Sequence, residues 1–518
     1  MNTELTAPET YNITDEVMRF KENDTAAVAW RDQGGDRKDI SYRELARKIN
    51  QYAQALNARG IHKGDRVLVL LPRIPEAYFT YLACMRAGII AVPCSEMLRE
   101  KDLRFRMEHA EAKGVVAFHK TTAEVNKIGD YSLHEKFIIG GEEEGWTPLE
   151  QEADAASNEY QAPVTSREDT VVLSYTSGTT GNPKGVVHTH GWGYAHVRTA
   201  AREWLGVEEG DVVWATAAPG WQKWIWSPLL STITLGATAF VYNGAFDAST
   251  YLSLLEKEKI NVLCCTPTEY RMMAKLDDLA SYNLQELKSA VSAGEPLNRP
   301  VIQAFKDAFQ IEVRDGYGQT ENTLLVCNVQ GMTVKPGSMG KPTPGNPVDI
   351  ISSAGDPVEP GETGDIAVHK DCPALFKEYY RDPEKTDAAF RGEWYVTGDQ
   401  ALKDEDGYFW FKGRSDDIII SSGYTIGPFE VEDVLLKHTS VKECAVIASP
   451  DEIRGSVVKA CIVLKDPAEE SEELKKKLQD YVKQMTAPYK YPRKIEFMKE
   501  LPKTASGKIR RIELREEE

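Results

Sequence analysis

One stretch of the sequence limits the choice of fold more than any other. The apolar run TVVLSY at 170–175 passes directly into the loop TSGTTGNPKG at 176–185. The run predicts a strand, and loops that follow strands are where open α/β sheets bind phosphates. Small, hydroxylated and glycine residues leave backbone N–H groups accessible, and Lys184 adds a positive charge. The stretch predicts an α/β sheet that holds a polyphosphate, against the ordinary alternative of a flexible surface loop.

The loop differs from the P-loop of kinases and GTPases, whose pattern ends in Gly-Lys-Ser or Gly-Lys-Thr. Here Asn182 and Pro183 stand between Gly181 and Lys184, and Gly185 follows the lysine. A Walker-type nucleotide-binding fold is therefore disfavoured.

Strand and helix patterns alternate on both sides of the loop. Before it, the apolar run RVLVLL at 66–71, an apolar helix at 75–86 and a strand at 89–92 form a βαβ pattern. After it, the alternation restarts with apolar strand-like runs at 212–216, 238–242, 262–266 and 289–293. Over this length, two doubly wound sheets side by side are favoured over one oversized sheet.

Domain boundaries follow from changes in sequence texture. Residues near 336–411 form short apolar runs broken by glycine and proline, which predicts a small β-rich subdomain. The segment 416–518 mixes strand and helix patterns and has a common domain size, which predicts a small α+β domain. We therefore expect an α/β protein with a large N-terminal domain at 1–415, made of two doubly wound sheets and the β-rich subdomain, followed by this C-terminal domain.

Composition excludes several classes of function. A formal net charge of -18 over 518 residues argues against a nucleic-acid partner. The eight cysteines show no C-x-x-C spacing and lie mostly in apolar runs, as buried thiols in a reducing compartment do. The polar N-terminus and the lack of a membrane-spanning apolar stretch predict a cytoplasmic protein without membrane insertion. Monomer and homodimer both remain open.

Four motifs together resemble those of the adenylate-forming superfamily, which includes acyl-CoA synthetases, adenylation domains of peptide synthetases and luciferases. They are YTSGTTGNPKGV at 175–186, DGYGQTE at 315–321, YVTGD at 395–399 and PKTASGKIRR at 502–511. The motifs are closest to those of medium-chain acyl-CoA synthetases. The resemblance implies ATP, Mg²⁺ and coenzyme A as cofactors and a small-molecule carboxylic acid as substrate. It also implies that the C-terminal domain is mobile and turns about a hinge at Asp416.

The resemblance assigns the nucleotide and its chemistry to specific residues. Glu321 would bind Mg²⁺, Thr320 would contact the α-phosphate, and Lys508 would bridge the acid's carboxylate and that phosphate. Taken singly, the later motifs also fit ordinary turns and a solvated C-terminal lysine. The residues implied to bind ATP are Thr176, Ser177, Gly178, Thr179, Thr180, Gly181, Lys184, Gly294, Glu295, Pro296, Asp315, Gly316, Tyr317, Gly318, Gln319, Asp399 and Arg414.

CoA and the acid are assigned in the same way. The resemblance gives CoA the residues Ser422, Gly423, Tyr424 and Arg454. A glycine at 423 has no Cβ to obstruct the pantetheine arm. Medium-chain relatives usually carry arginine where Thr425 stands, so one phosphate contact is lost or replaced here.

The acid site is expected in PGWQKWIWSPLL at 219–230, with Trp221 and Lys223 as lining residues. Packing of the tryptophans in the core is an equal alternative, and Lys223 either reaches outwards or meets a polar end of the acid. Acetate-specific relatives carry tryptophan at the position of Gly318, so we expect room for a chain longer than acetyl.

The sequence therefore predicts an ATP-dependent acid:CoA ligase that forms an acyl-adenylate and then a thioester on a medium-chain or branched fatty acid. Two alternatives within enzymes are a ligase that loads a carrier protein and an aromatic-acid:CoA ligase. A nucleotide-binding regulatory protein without the chemistry is disfavoured, because Lys184, Glu321, Asp399, Arg414 and Lys508 are all present.

Overall fold

The computed structural model describes most of the chain and divides it into two compact units. The described residues are 3–176, 183–294, 297, 299–414, 417–421, 424–451, 455–486, 488–503 and 509–516. The first unit comprises Met1–Val334, Pro342–Pro347 and Lys370–Ala388, and the second comprises Lys335–Lys341, Val348–His369 and Ala389–Glu518.

One sheet of the first unit contains the strands on both sides of the phosphate loop. The strand Thr170–Thr176 pairs in parallel with Ile90–Pro93 and antiparallel with Lys184–Thr189. Several strands are buried along nearly their whole length, which explains continuous apolar runs such as Arg66–Leu70. The spatial order is Glu378–Tyr379, Lys184–Thr189, Thr170–Thr176, Ile90–Pro93, Arg66–Leu70, Gly114–Phe118, Glu135–Ile139 and Thr147–Pro148.

The strand that carries the start of the DGYGQTE motif lies towards one end of the other sheet of this unit. The strands of this sheet that lie wholly within the unit follow the spatial order Leu324–Cys327, Arg314–Gly318, Ser289–Ala293, Val262–Cys265, Val212–Ala215, Thr238–Asn243, Ala26–Asp32 and Arg37–Ser41. The hairpin Ala26–Asp32 and Arg37–Ser41 was not predicted. It precedes the first sheet in the chain, yet its first strand pairs in parallel with Thr238–Asn243. Such a distant partner leaves no local pattern in the sequence.

The predicted apolar helix at 75–86 is present as Pro75–Arg86. Ser41 Oγ accepts a hydrogen bond from Glu44 N at 3.1 Å, which caps the helix Tyr42–Ala58. No helix in the described part of the chain is long and apolar enough to cross a membrane. The helices are Asp15–Met18, Tyr42–Ala58, Pro75–Arg86, Glu100–Ala110, Thr122–Asn126, Leu149–Ala155, His190–His196, Gln222–Trp224, Ala248–Lys257, Pro267–Met273, Arg299–Phe309 and Pro383–Ala388, with π-helical turns at Val197–Leu205 and Ile225–Ser231.

The described part of the second unit contains antiparallel sheets, one mixed sheet and three α-helices. Its five-stranded sheet consists of Val348–Ile351, Thr363–His369, Phe390–Arg391, Trp394–Lys403 and Phe409–Arg414. The remaining strands are the hairpin Ile419–Ser421 with Tyr424–Ile426, and the sheet Val441–Asp451, Gly455–Leu464 and Lys494–Phe497. The helices are Pro428–Leu435, Glu472–Met485 and Arg511–Glu516. The predicted α/β fold class, with its small β-rich and C-terminal parts, is confirmed, and all eight cysteines are buried free thiols.

Candidate active site

The phosphate loop is closed at its base by strand pairing. Thr176, the last residue of its strand, pairs with Lys184, the first residue of the returning strand. The two predicted ATP ligands that flank the loop therefore lie side by side on adjacent strands. Twelve of the predicted site residues lie outside the described part of the chain: Ser177, Gly178, Thr179, Thr180, Gly181, Glu295, Pro296, Asp416, Ser422, Gly423, Arg454 and Lys508.

Two of the segments assigned to ATP, those at Gly294 and at DGYGQTE, meet at the carboxyl ends of neighbouring parallel strands. Ala293 pairs with Gly316 across this ladder. The Asp315 carboxylate accepts hydrogen bonds from Leu297 N at 3.3 Å and Gly316 N at 2.9 Å. Burial raises the pKa of Asp315 to about 7, while these two backbone donors lower it. Asp315 therefore connects the segment after Gly294 to the DGYGQTE motif by accepting hydrogen bonds from backbone N–H groups of both.

Thr320 and Glu321 lie in a tight turn between two antiparallel strands. Gln319 N donates to the side-chain oxygen of Asn322 at 2.8 Å, which closes the turn. The Thr320 carbonyl accepts from His188 Nε2 at 2.6 Å, and the Glu321 carbonyl accepts from Phe376 N at 2.7 Å. Because both carbonyls are bonded to other parts of the unit, the two side chains have a fixed backbone beneath them.

Three aromatic side chains that the sequence analysis missed support this turn. His188, Trp192 and His196 follow one another at intervals of four residues, and their rings are 4.3 and 5.2 Å apart. Trp192 Nε1 donates to the Asn322 carbonyl at 3.0 Å, and His196 Nδ1 lies 2.6 Å from Thr323 Oγ1. Burial lowers the pKa of both histidines to about 3, so both are neutral at pH 7. The sequence signal that could have predicted this cluster is the spacing of four residues between His188, Trp192 and His196 in HTHGWGYAH at 188–196.

Lys184 and Glu321 both contact one tyrosine. Lys184 Nζ lies 4.8 Å from the centre of the Tyr379 ring, and the Tyr379 hydroxyl donates to Glu321 Oε1 at 2.9 Å. Lys184 and Tyr379 also line a cleft of about 250 Å³ together with Phe105, His109, Pro183, Gly185, Tyr380, Asp382 and Lys385. The loop lysine and the predicted metal ligand are thereby joined through a side chain far from both in sequence.

Glu321 fits the expected Mg²⁺ site. The described residues contain no group of three or more histidine, cysteine, aspartate or glutamate side chains that could hold a metal ion by themselves. Mg²⁺ is usually held by one or two carboxylates together with substrate phosphates, so one oriented carboxylate suits this ion. Glu321 offers such a carboxylate, because its Oε1 accepts from the Tyr379 hydroxyl, and the Tyr379 ring faces Lys184.

In the second unit, the two residues assigned to the ribose are neighbours. Asp399 and Arg414 occupy paired positions on adjacent antiparallel strands, although fifteen residues separate them in the chain. Asp399 is buried, and Gly398 before it has a φ of 76°, which favours glycine. Of the residues assigned to CoA, Tyr424 pairs with Ser421 in the hairpin of Ile419–Ser421 and Tyr424–Ile426.

The tryptophan-rich segment contains both a tryptophan packed in the core and a lysine whose ammonium is buried among indole rings. Trp224 is buried, with its ring 5.1 Å from Tyr78 and 4.9 Å from Tyr81, as the core alternative expects. Lys223 points elsewhere: its Nζ lies 4.7 Å from the Trp204 ring and 5.6 Å from the Trp226 ring. This ammonium is buried and has no hydrogen-bond partner in the described structure. Trp221 precedes the short helix and is partly exposed.

The glycines of the DGYGQTE motif are required by close contacts. A Cβ on Gly316 would lie 2.7 Å from the Trp204 ring, and a Cβ on Gly318 would collide with the Thr323 carbonyl. Glycine at 318 therefore allows the two antiparallel strands to approach each other. A larger side chain at this position would first disturb the backbone, so the predicted room for a longer acyl chain stays a prediction.

Comparisons with known proteins agree with the motifs. Residues 15–380 match the family described as AMP-binding enzyme, and residues 430–508 match the AMP-binding enzyme C-terminal domain. The chain is 56% identical to an uncharacterized acyl-CoA ligase, YtcI, of Bacillus subtilis, covering 99% of this chain and 97% of that protein. It is 43% identical to the mitochondrial acyl-coenzyme A synthetase ACSM3 of Rattus norvegicus, covering 95% and 86%.

A solved structure resembles the fold over nearly its whole length. The anthranilate CoA ligase AuaEII, in complex with anthranoyl-AMP, superposes with a TM-score of 0.91 at 31% identity and covers 99% of this chain and 98% of its own. The predicted enzyme class, an ATP-dependent acid:CoA ligase that uses ATP, Mg²⁺ and CoA, is confirmed by these relatives. The chain belongs to the AMP-binding enzyme family.

Proposed function

We propose that the enzyme joins a medium-chain or branched aliphatic acid to CoA through an acyl-adenylate. A carboxylate oxygen of the acid attacks the α-phosphorus of ATP, the bond to the β-phosphate breaks, and pyrophosphate leaves. The CoA thiol then loses its proton and attacks the adenylate carbonyl, and AMP leaves. The observation that carries the proposal is the meeting of the Gly294 and DGYGQTE segments, where Asp315 accepts from Leu297 N.

In the first step, we assign Lys184 to the phosphates that leave and Thr320 to the α-phosphate. Glu321 is the residue that would hold Mg²⁺, which when bound neutralises charge between ATP and the acid. Lys508 would bridge the acid's carboxylate and the α-phosphate, where it offsets the repulsion of two anions. The bonds from His188 and Phe376 to the backbone of residues 320–321 support this assignment, because they fix the turn before ATP arrives.

The remaining assignments concern the second unit. Asp399 would accept hydrogen bonds from the ribose hydroxyls, and Arg414 beside it would bind the ribose or phosphate side. For the second step, we keep the predicted rotation about Asp416, with 1–415 and 416–518 as the moving parts. Ser422, Gly423, Tyr424 and Arg454 would then contact CoA.

Relatives support two classes of acid. The name acyl-coenzyme A synthetase of ACSM3 is in line with an aliphatic acid, whereas the AuaEII complex contains anthranoyl-AMP. One observation favours the second candidate, an aromatic acid with a polar substituent. The buried Lys223 ammonium lies over two indole rings without a hydrogen-bond partner among the described residues, and an acceptor on the acid would pair with it.

A panel of carboxylic acids tests the choice of substrate. We expect more pyrophosphate release with straight-chain acids of about six to ten carbons than with acetate, and also more with branched acids than with acetate. Lys223→Met should leave these rates nearly unchanged. If the aromatic candidate is right, 2-aminobenzoate is the better substrate and Lys223→Met lowers its kcat/KM more than that of benzoate. AMP release with free CoA, compared with a carrier protein, tests the acceptor.

We also place the enzyme in the cytoplasm. The relative YtcI comes from a bacterium, and the eight buried free thiols suit a reducing compartment. ACSM3, in contrast, is named as mitochondrial. Fractionation of cells that produce the full chain, with immunodetection in the soluble and membrane fractions, tests this location.

A further inference from the structure

Tyr379 contacts two residues of the proposed triphosphate site, Lys184 and Glu321. Its side chain is almost fully buried, with 4% of the residue exposed. The hydroxyl donates to Glu321 Oε1 at 2.9 Å, and the ring faces Lys184 Nζ at 4.8 Å. Tyr379 is 58 residues from Glu321 in sequence, and none of the recognised motifs contains it.

Main-chain hydrogen bonds fix the position of this tyrosine. The strand Glu378–Tyr379 pairs antiparallel with the strand that leaves the phosphate loop, and Tyr379 lies opposite Val186. Tyr380 N donates to the Gly185 carbonyl at 2.7 Å on one side of it. On the other side, Phe376 N donates to the Glu321 carbonyl at 2.7 Å. The segment 376–380 therefore joins the loop strand to the turn that carries Glu321.

The two contacts have different chemical effects. A phenol hydroxyl that donates to one carboxylate oxygen restricts rotation of the carboxylate and leaves acceptor positions on the other oxygen for a cation. The negative face of the ring attracts the Lys184 ammonium and limits where its long side chain can go. The hydroxyl acts on the metal ligand, and the ring acts on the phosphate ligand.

We propose that Tyr379 is a positioning residue that orients Glu321 for Mg²⁺ and Lys184 for the phosphates of ATP. This inference rests on the roles proposed above for those two residues. Tyr379 itself takes no part in the chemistry, because its hydroxyl donates to Glu321 and its ring faces Lys184. A tyrosine with a purely structural role would support the fold to the same extent whether or not Mg²⁺ is present.

Calorimetry of ATP binding in the absence of acid tests the proposal without turnover. Tyr379→Phe keeps the ring and loses the hydroxyl. We expect the Mg²⁺ concentration for half-maximal enhancement of ATP binding to rise about tenfold or more, as for other groups that orient a metal ligand. The ATP affinity measured in EDTA should stay at the parental value. Tyr379→Leu also loses the ring and should weaken binding in EDTA as well.

The neighbouring tyrosine supplies a matched control. Tyr380→Phe removes a hydroxyl from the same edge strand and should leave the Mg²⁺ dependence unchanged. Parental Mg²⁺ dependence in Tyr379→Phe, or an equal loss of affinity with Mg²⁺ and with EDTA, would overturn the proposal. Unfolding midpoints of all variants show whether each one folds.

A double-mutant cycle with Glu321→Gln separates this inference from the proposed function. If Tyr379 acts through Glu321, Tyr379→Phe should cause no further change in the Glu321→Gln background. Additive effects in the double variant contradict the positioning role. If Glu321→Gln alone keeps the parental Mg²⁺ dependence, the metal role of Glu321 is itself wrong, and the role of Tyr379 is wrong with it.

Discussion

The first unit holds the turn with the predicted catalytic residues Thr320 and Glu321 through uncharged groups, whereas the second unit holds its last described helix, Arg511–Glu516, through ion pairs. In the first unit, His188, Trp192 and His196 bond the turn at 320–323. Both histidines are neutral at pH 7 because burial lowers the pKa of each to about 3. This turn is therefore supported without a buried charge.

In the second unit, the helix Arg511–Glu516 follows the predicted Lys508 and is anchored by charges. Arg511 Nη2 lies 2.7 and 2.9 Å from the two carboxylate oxygens of Glu432, and Arg515 Nη2 lies 2.7 Å from Asp417 Oδ1. Burial alone would lower the pKa of Arg511, but the Glu432 carboxylate more than offsets this, and the pKa is raised.

The difference shows that a fixed segment can depend on two kinds of interaction with different weaknesses. The buried neutral layer formed by His188, Trp192 and His196 is destabilised when a histidine is protonated or a hydrogen-bond partner is lost. A buried ion pair fails when one partner is removed, because the other charge is left without compensation. The predictions below test each weakness.

Lys508→Ala, at the predicted catalytic lysine of the second unit, should give the largest effect. Loss of one group that stabilises transition-state charge lowers the rate by about 10²–10³. We expect this loss in adenylate formation from acid and ATP, with thioester formation from preformed acyl-AMP nearly unchanged. Single-turnover assays of the two half-reactions measure it, and a comparable loss in both would contradict the assigned role.

Arg511→Met tests the ion pair itself. The Glu432 side chain is 8% exposed, so its charge would remain buried without a counter-charge, although Val446 N still donates to Glu432 Oε1 at 2.8 Å. We expect a loss of about 3 kcal/mol in stability, the low end for such pairs because a quarter of the Arg511 side chain is exposed. Hydrogen exchange in the strand Val441–Asp451 measures the change.

The double variant Arg511→Met with Glu432→Met is the matched control for the ion pair. With both charges removed, apolar side chains of similar volume should recover part of the lost stability, since the buried Val446 N, which donates to Glu432 Oε1 at 2.8 Å, also loses its acceptor. A double variant as unstable as Arg511→Met would show that packing, and not the unpaired carboxylate, causes the loss.

Lowering the pH should weaken the first unit. The folded-state pKa values of His188 and His196 lie near 3, below the ordinary value of about 6.5. Their contribution is fully present above pH 6.5 and is lost as the pH falls below it, because the unfolded chain takes up protons first. From pH 7.5 to 6 we expect the pair to lose about 2 kcal/mol.

Exchange protection of the strand Arg314–Gly318, corrected for the intrinsic pH dependence of exchange, follows this change. His196→Gln cannot titrate in this range and should reduce the slope of stability against pH by about a third, because burial also lowers the pKa of His190 in the same unit, to about 4. An unchanged slope in this variant would mean that other groups cause the acid sensitivity.

Sequence reasoning found what local patterns encode and missed what distant pairing creates. The helix Pro75–Arg86 and the strand Ser289–Ala293 have the predicted bounds, because their apolar spacing and flanking residues are local signals. The strand Ala26–Asp32 is completed by a partner more than two hundred residues away, which no local pattern shows.

The candidate site divides in the same way. Lys184, Glu321 and Asp399 were recognised because each lies in a long motif, and the motifs name residues that would touch ligands. Tyr379 and Trp192 act on those residues instead of on ligands, and their role depends on contacts that only the fold creates. A motif also does not explain why a position requires glycine. At Gly318, the reason is the close approach of the Thr323 carbonyl.

Trp192→Phe should give the smallest effect and is the finest test of the neutral layer. The phenyl ring keeps most of the packing between the two histidines, but the Asn322 carbonyl loses its donor. We expect the free energy of unfolding in urea to fall by about 1 kcal/mol and the apparent affinity for ATP to weaken, because the turn that carries Glu321 loosens.

Trp224→Phe is the control, since Trp224 is equally buried and packs on Tyr78. It should lose similar stability without a change in ATP affinity. Equal effects of both variants on ATP affinity would show that the neutral layer supports the fold in general and has no specific effect on the turn.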